Sequence, residues 1–311
     1  MELATTRPTV MIAMADDVPI TRYPFVMAHD AASGYLPVDG VNRWVKTQRV
    51  GVVGQLECGA RAFDMRPMLR GKTLAWHHGD VPIDYPLENT LADVSEWLRS
   101  HPDELVLLNV WDCVPAPACM TAVRASLAAA GIHEIADCAR LRNMTVSAAR
   151  RRGGLPTGGS VLAITGPAAA TDGAACSYGN YDRTIACSGY HRERQTAASL
   201  FGCWSTDATR KYPIDRMLQM LDAVARGGLR DGFFTQAQAL WQETDASVAI
   251  GVLRNSSLLL DERRSALNAL LAGEARAKGR WRRSVNLFEV NDVCDGGREL
   301  ARALLLRSDA S

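Results

Sequence analysis

The run "ELVLLNVWDC", Glu104 to Cys113, is the strongest constraint on how this chain can fold. Between Glu104 and Trp111 it is apolar at every position but Asn109, and it turns polar again at Asp112. A strand has this form when both faces are covered and its carboxyl edge alone meets solvent. The form recurs. "YPFVMAHD" ends in His29 and Asp30, "RAFDMRP" carries Asp64 and Arg66, "SVLAITG" opens at Ser160, and "RSVNLFEVNDVC" ends at Cys294. "TLAWHHG", Thr73 to Gly79, reads as the strand that follows Arg61–Pro67. Helical patterns lie between these runs. Val52–Ala60 stops near Gly59. "ENTLADVSEWLRSHPDE" spaces Leu91, Val94, Trp97 and Leu98 as one apolar face, with Asn89 or Thr90 as N-cap and Pro102 beyond its end. An Ala-rich helix covers Cys119–Ala130, and "SSLLLDERRSALN" opens with cap serines. Strand and helix in alternation predict a parallel α/β architecture.

A length of 311 residues admits two ordinary domains or one large α/β barrel with insertions. The polar, cysteine-bearing stretch 167–203 has no sustained period and reads as an excursion from one domain, 1–311. Charge narrows the partners: 35 basic against 34 acidic residues give a net charge of +1, which speaks against nucleic acid. No apolar run is long enough for a membrane-spanning helix. "MELATTRPTVMIAMADDVPI" has no charged start followed by a long apolar core, so it does not read as a signal peptide. The eight cysteines form no CxxC pair and do not cluster with the histidines at zinc-site spacing. Cys113/Cys119 and Cys176/Cys187 each bracket a short turn or loop and are expected as local disulfides, which points to an oxidising, extracellular setting.

In a parallel α/β fold, ligands sit at the carboxyl ends of strands. His29, Asp30, Asp64, Arg66, His77, His78, Asp112 and Asp292 all fall at such ends. Two imidazoles, a guanidinium and carboxylates are the parts that cleave a phosphodiester by general acid–base catalysis. Of the adjacent pair His77-His78, strand alternation turns only one to the site.

"AHDAASG", "QLECGARAFDMRP", "WHHGD", "LADVSEWLRSHPDELVLLNV" and "VNLFEVNDV" resemble the X-region of the phosphatidylinositol-specific phospholipase C-like phosphodiesterases, continuously over about residues 23–113 and in scattered matches beyond. The resemblance implies a distorted TIM-type (β/α) barrel and two-step cleavage through a cyclic phosphate. It implies His29 as general base, His78 as general acid, Arg66 on the phosphate and Asp30 supporting the pair. His77 is then structural. Asn291 or Asp292 takes the place of the late-strand group that orients His29, and Asp292 is preferred because a carboxylate stabilises a charged imidazole. The calcium-dependent branch carries an Asn near its first His motif and Glu/Asp pairs on the second strand, where this chain has Asp30 and Arg66 instead, so no catalytic metal and no cofactor are expected. The fourth strand ends in Trp111 and Asp112, where bacterial relatives have a basic residue for the inositol ring. Together with Asp64 these are expected to bind the substrate in a rebuilt headgroup pocket. A phospholipid or other phosphodiester is the expected substrate, with transient contact to a membrane surface.

Two alternatives belong to other classes. "AHD" and "YPLENT" superficially resemble the metal-dependent glycerophosphodiester phosphodiesterases, but Glu88 lies after the third strand and "ENT" serves as a helix cap. The other alternative is a secreted, non-catalytic barrel that binds headgroups. The joint presence of His29, Arg66 and His78 argues against it.

Overall fold

The computed structural model describes residues 18–141, 143–165, 234–240, 242–243, 245–277 and 285–305, with isolated positions between these ranges. The strands β1 (Phe25–Ala28), β2 (Ala62–Met65), β6 (Leu105–Val110), β7 (His133–Ile135), β8 (Ser160–Ile164), β9 (Ser177–Tyr178), β10 (Phe234–Gln238) and β11 (Leu287–Val290) form one eight-stranded sheet. Its order is β7-β8-β6-β2-β1-β11-β10-β9, and every ladder in it is parallel. No ladder joins β7 to β9 among the described residues. This is the expected distorted barrel.

Strands buried on both faces divide the core in two. Phe25, Met27, Leu105, Leu107, Phe234 and Leu287 pack together inside the barrel. Their neighbours in sequence, such as Val26, Val106 and Phe288, pack outward against the helices. The outer layer includes α1 (Val52–Glu57), α2 (Leu87–Arg99), α3 (Ala118–Ala129), α4 (Val146–Gly153), α5 (Asp245–Leu253), α6 (Leu258–Ser265), α7 (Leu267–Ala277) and α8 (Gly297–Leu305). Each large apolar side chain buried this way contributes about 1.5–3 kcal/mol. Helix α2 buries Leu87, Leu91, Val94 and Leu98 at helical spacing, but it starts one turn earlier than the expected caps. Pro86 precedes it, its missing N–H being no loss where no intrahelical bond forms.

The sequence reading fails at its third strand. Thr73–His78 is not in the barrel. It is the middle strand, β4, of an antiparallel meander with β3 (Pro67–Arg70) and β5 (Val81–Ile83). Two-residue turns cause the reversals. Gly71-Lys72 separates the paired Arg70 and Thr73, and Gly79-Asp80 separates the paired His78 and Val81. Gly71 and Gly79 take φ of 62° and 54°, the left-handed conformation that such tight hairpins require. The meander hangs from the end of β2, where the His77 amide donates to the Arg66 carbonyl at 3.1 Å.

Cys113–Cys119 is bridged as expected, whereas Cys176 and Cys187 lie outside the described residues. A second bridge, Cys58–Cys294, was not anticipated. It joins the end of α1 to the segment after β11 across a sequence separation of 236. Loop-entropy arguments assign about 5 kcal/mol to a closure of that length and about 2 kcal/mol to the six-residue one. The double replacement of Cys58 and Cys294 by Ser is therefore expected to lower Tm more than that of Cys113 and Cys119, as thermal unfolding of both variants would measure. An equal or smaller loss would refute this ranking. No helix among the described residues is long and apolar enough to cross a membrane.

Candidate active site

Three strands end in the same unusual way. Asp30 after β1, Asp112 after β6 and Asp292 after β11 have φ of 42°, 50° and 42°. Such angles are uncommon outside glycine and collect at functional sites. They mark the carboxyl mouth of the barrel, where most of the anticipated residues meet.

Asp30 is the hub. Its Oδ2 lies 3.2 Å from His29 Nε2 and 3.1 Å from His78 Nδ1, and its Oδ1 lies 2.8 Å from Arg66 Nε. These are ion-pair approaches; none has hydrogen-bond alignment. The two imidazole centroids are 6.3 Å apart. Arg66 also spans to Asp64, with Nη2 donating to Oδ2 at 2.8 Å, and it donates to His29 Nε2 at 3.2 Å. Asp64 is fixed in turn, because its Oδ2 accepts the Asp30 amide at 2.9 Å. Alternation explains the placement: Asp64 and Arg66 are two apart and share the inner face of β2's end.

Burial and charge set the protonation states. Burial would raise the Asp30 carboxyl, but Arg66, His78 and His29 outweigh it and hold it below the ordinary value. Burial would lower Arg66, yet Asp30 and Asp64 raise it above its usual range. Burial also dominates at His78, lowering it from 6.5 although Asp30 pulls the other way.

Trp111 is half-buried beside the cluster. Its Nε1 donates to Asp64 Oδ1, and Arg66 lies over its ring at 4.5 Å, so it cradles the guanidinium. The Asp112 carbonyl accepts from His77 Nε2 at 2.7 Å, and the Gly79 carbonyl lies 2.9 Å from His77 Nδ1. Both ring nitrogens of His77 thus meet backbone carbonyls. The Asp112 side chain is half-buried at the mouth.

Asp292 does not orient His29. It is wholly buried and bound to Arg49 through both oxygens, at 2.5 and 2.7 Å. Its predecessor takes the expected place, with His29 Nδ1 donating to Asn291 Oδ1 at 2.8 Å. One residue of register decides this, since 287, 289 and 291 face inward along β11 and 292 does not. His29, Asp30 and Asp64 are also spaced so that each offers a ligand atom within 4.8 Å of the others. The Arg66 guanidinium lies among them.

Sequence reasoning missed Gln48, Arg49 and Glu289. Gln48 Nε2 donates to the carbonyls of His29 and Val290, and its Oε1 accepts from the Val293 amide, tying the loop after β1 to β11. Glu289 lies inside the barrel, where burial pushes its carboxyl up to about 7. Gln236 donates to its Oε2 at 2.7 Å, and its Oε1 has no hydrogen-bond partner among the described residues. The acid inside "LFEV" was a signal that went unread.

No family model matches the chain. PI-PLC X domain-containing protein 1 of Homo sapiens is 39% identical over 71 residues, 22% of each chain. The 1-phosphatidylinositol phosphodiesterase of Staphylococcus aureus strain Newman is 29% identical over 103 residues, 32% of each. The alignments thus span less than a third of these relatives' lengths. Among solved structures, the phosphatidylinositol-specific phospholipase C of Listeria monocytogenes superposes with a TM-score of 0.60 at 11% identity, covering 94% of this chain and 96% of that one. The last likeness extends the shared fold across the barrel, while the local matches carry the sequence relation. Taken together, the local sequence matches and the shared barrel make this chain similar to the phosphatidylinositol-specific phospholipases C.

Proposed function

We propose that this protein is a metal-independent phosphodiesterase of the phospholipase C type. One observation carries the reading: a single carboxylate, Asp30, lies within 3.2 Å of both imidazoles and 2.8 Å of the guanidinium. In the proposed step, His29 Nε2 takes the proton of a hydroxyl adjacent to the phosphate on the substrate. That oxygen bonds to phosphorus, the bond to the leaving oxygen breaks, and His78 supplies the leaving oxygen with a proton. Arg66 meets the non-bridging oxygens, and the Asp30 carboxylate, 3.2 Å from His29 Nε2, stabilises the imidazolium charge that forms there. Water then opens the cyclic phosphate with the two histidines in exchanged roles.

A lipid diester is the proposed substrate class, in line with the phosphatidylinositol-cleaving relatives. Exposed apolar side chains support contact with a lipid surface. Val38 and Val41 follow β1, and Val252 and Leu253 end α5; each is more than 60% exposed. Arg43 donates to Asn255 at 2.9 Å and binds the two segments together. The two disulfides fit a proposed extracellular location.

The deciding experiment follows phosphatidylinositol and soluble diesters by phosphorus NMR with and without EDTA. Activity that survives chelation, with a cyclic phosphate as first product, is expected. Inactivation by EDTA with rescue by Ca²⁺ or Mg²⁺ would remove the metal-free reading.

The pH profile provides a further test. The acid form of His78 must be present, and burial holds that group below 6.5. Catalysis is therefore expected to decline, about tenfold per pH unit at the limit, once pH rises beyond a value under about 6.5. A kcat/KM that climbs from pH 6 to 8 would count against His78 as the acid.

A further inference from the structure

Behind His29 the chain uses an amide where a carboxylate was expected, and a carboxylate stands one step further back. His29 Nδ1 meets Asn291 Oδ1 at 2.8 Å, and Asn291 Nδ2 donates to Glu262 Oε2 at 3.3 Å. Glu262 projects inward from α6 and is fully buried, although it is flanked by Asp261, Arg263 and Arg264. Ser257 caps that helix, its Oγ accepting the Leu260 amide at 3.2 Å. The backbone at the other end of the relay is pinned as well, since Asn268 Nδ2 donates to the carbonyls of Asn291 and Asp292 at 2.8 and 3.2 Å.

We propose that Glu262 is a positioning residue that sets the tautomer of His29 through Asn291, an inference that rests on the assignment of His29 as the base. An asparagine alone does not fix a histidine, because its amide can present either oxygen or nitrogen. A carboxylate only accepts. With Glu262 ionised, the Asn291 amide must turn its NH₂ to Glu262 and its oxygen to His29. The oxygen in turn requires the proton on Nδ1. Nε2 is left with a lone pair, on the side where Asp30 and Arg66 lie and where the substrate hydroxyl is proposed to arrive. The buried carboxylate thus does at second hand what a directly bonded acid does elsewhere, without placing a second negative charge against the ring.

The test reads the histidine ring itself, by ¹⁵N NMR on the full-length protein without substrate. The wild type is expected to show His29 as the Nδ1–H form alone. Glu262→Gln keeps the shape but can donate as well as accept, so both amide orientations become available. It is expected to give a mixture of tautomers and a roughly tenfold lower kcat at unchanged KM. Adding Asn291→Asp to that variant is expected to restore the single tautomer, because an aspartate accepts from Nδ1 in either orientation. Circular dichroism checks that each variant is folded. A single Nδ1–H form persisting in folded Glu262→Gln would overturn the proposal. So would an Nε2–H form in the wild type, which needs no variant to detect. Absence of diester cleavage by the wild type would instead overturn the proposed activity, and the tautomer result would still decide the role of Glu262.

Discussion

Arg66→Leu is expected to remove diester cleavage and to destabilise the fold in a pH-dependent way. The guanidinium stands 2.8 Å from both Asp30 and Asp64, and all three side chains are nearly inaccessible. Removing it leaves two buried carboxylates uncompensated, a change that costs about 3–5 kcal/mol. The sign of the pH dependence follows. In the wild type the Asp30 carboxyl is held below its ordinary value, so its stabilising contribution is present at neutral pH and is lost as pH falls through that lowered value. Without Arg66 the two acids repel, and protonating one relieves the strain. The difference in Tm between variant and wild type is therefore expected to narrow from pH 8 to pH 5. A constant difference across that range would show that the pair is not the origin of the loss. Arg66→Lys keeps the charge but not the fork whose Nε and Nη2 reach different acids, and is expected to fall between.

The second large effect separates the two histidines by their tasks. His29→Ala and His78→Ala are each expected to lower the rate on a lipid diester by about 10²–10⁴-fold. They differ when the leaving group changes. A phenolate leaving group of low pKa departs without a proton, so a diester carrying it should be cleaved by His78→Ala at close to the wild-type rate. His29→Ala should remain impaired, because the attacking hydroxyl is the same in both substrates. Equal impairment of both variants on the activated diester would reject the assignment of His78 as acid.

What could be read from the sequence was what depends on neighbours along the chain. Doubly buried strands such as Leu105–Val110 announce themselves by composition, and the polar residues at their ends mark the barrel mouth. Asp64 and Arg66 could be paired because alternation alone puts them on one face. Thr73–His78 was misplaced because it has the same apolar make-up as a barrel strand, and composition does not distinguish parallel from antiparallel neighbours. Gly71 and Gly79 held that information. Asn291 and Asp292 could not be ordered from chemistry, because the better partner for an imidazole is also the better partner for Arg49. Which one faces inward is a matter of register on β11. Glu262 was unreadable, since nothing in "LDERRS" shows which acid a helix turns inward until the neighbouring strand is in place.

The Cys58–Cys294 bridge also bears on what happens when the backbone is cut. Every peptide bond from 59 to 293 lies within the covalent ring that it closes, and this ring contains β2 through β11. A protease that nicks the chain once anywhere in that span produces two fragments that remain one molecule until a reductant arrives. Cleavage and dismantling are thereby made separate events, and in an oxidising milieu full of proteases a clipped barrel keeps both of its halves.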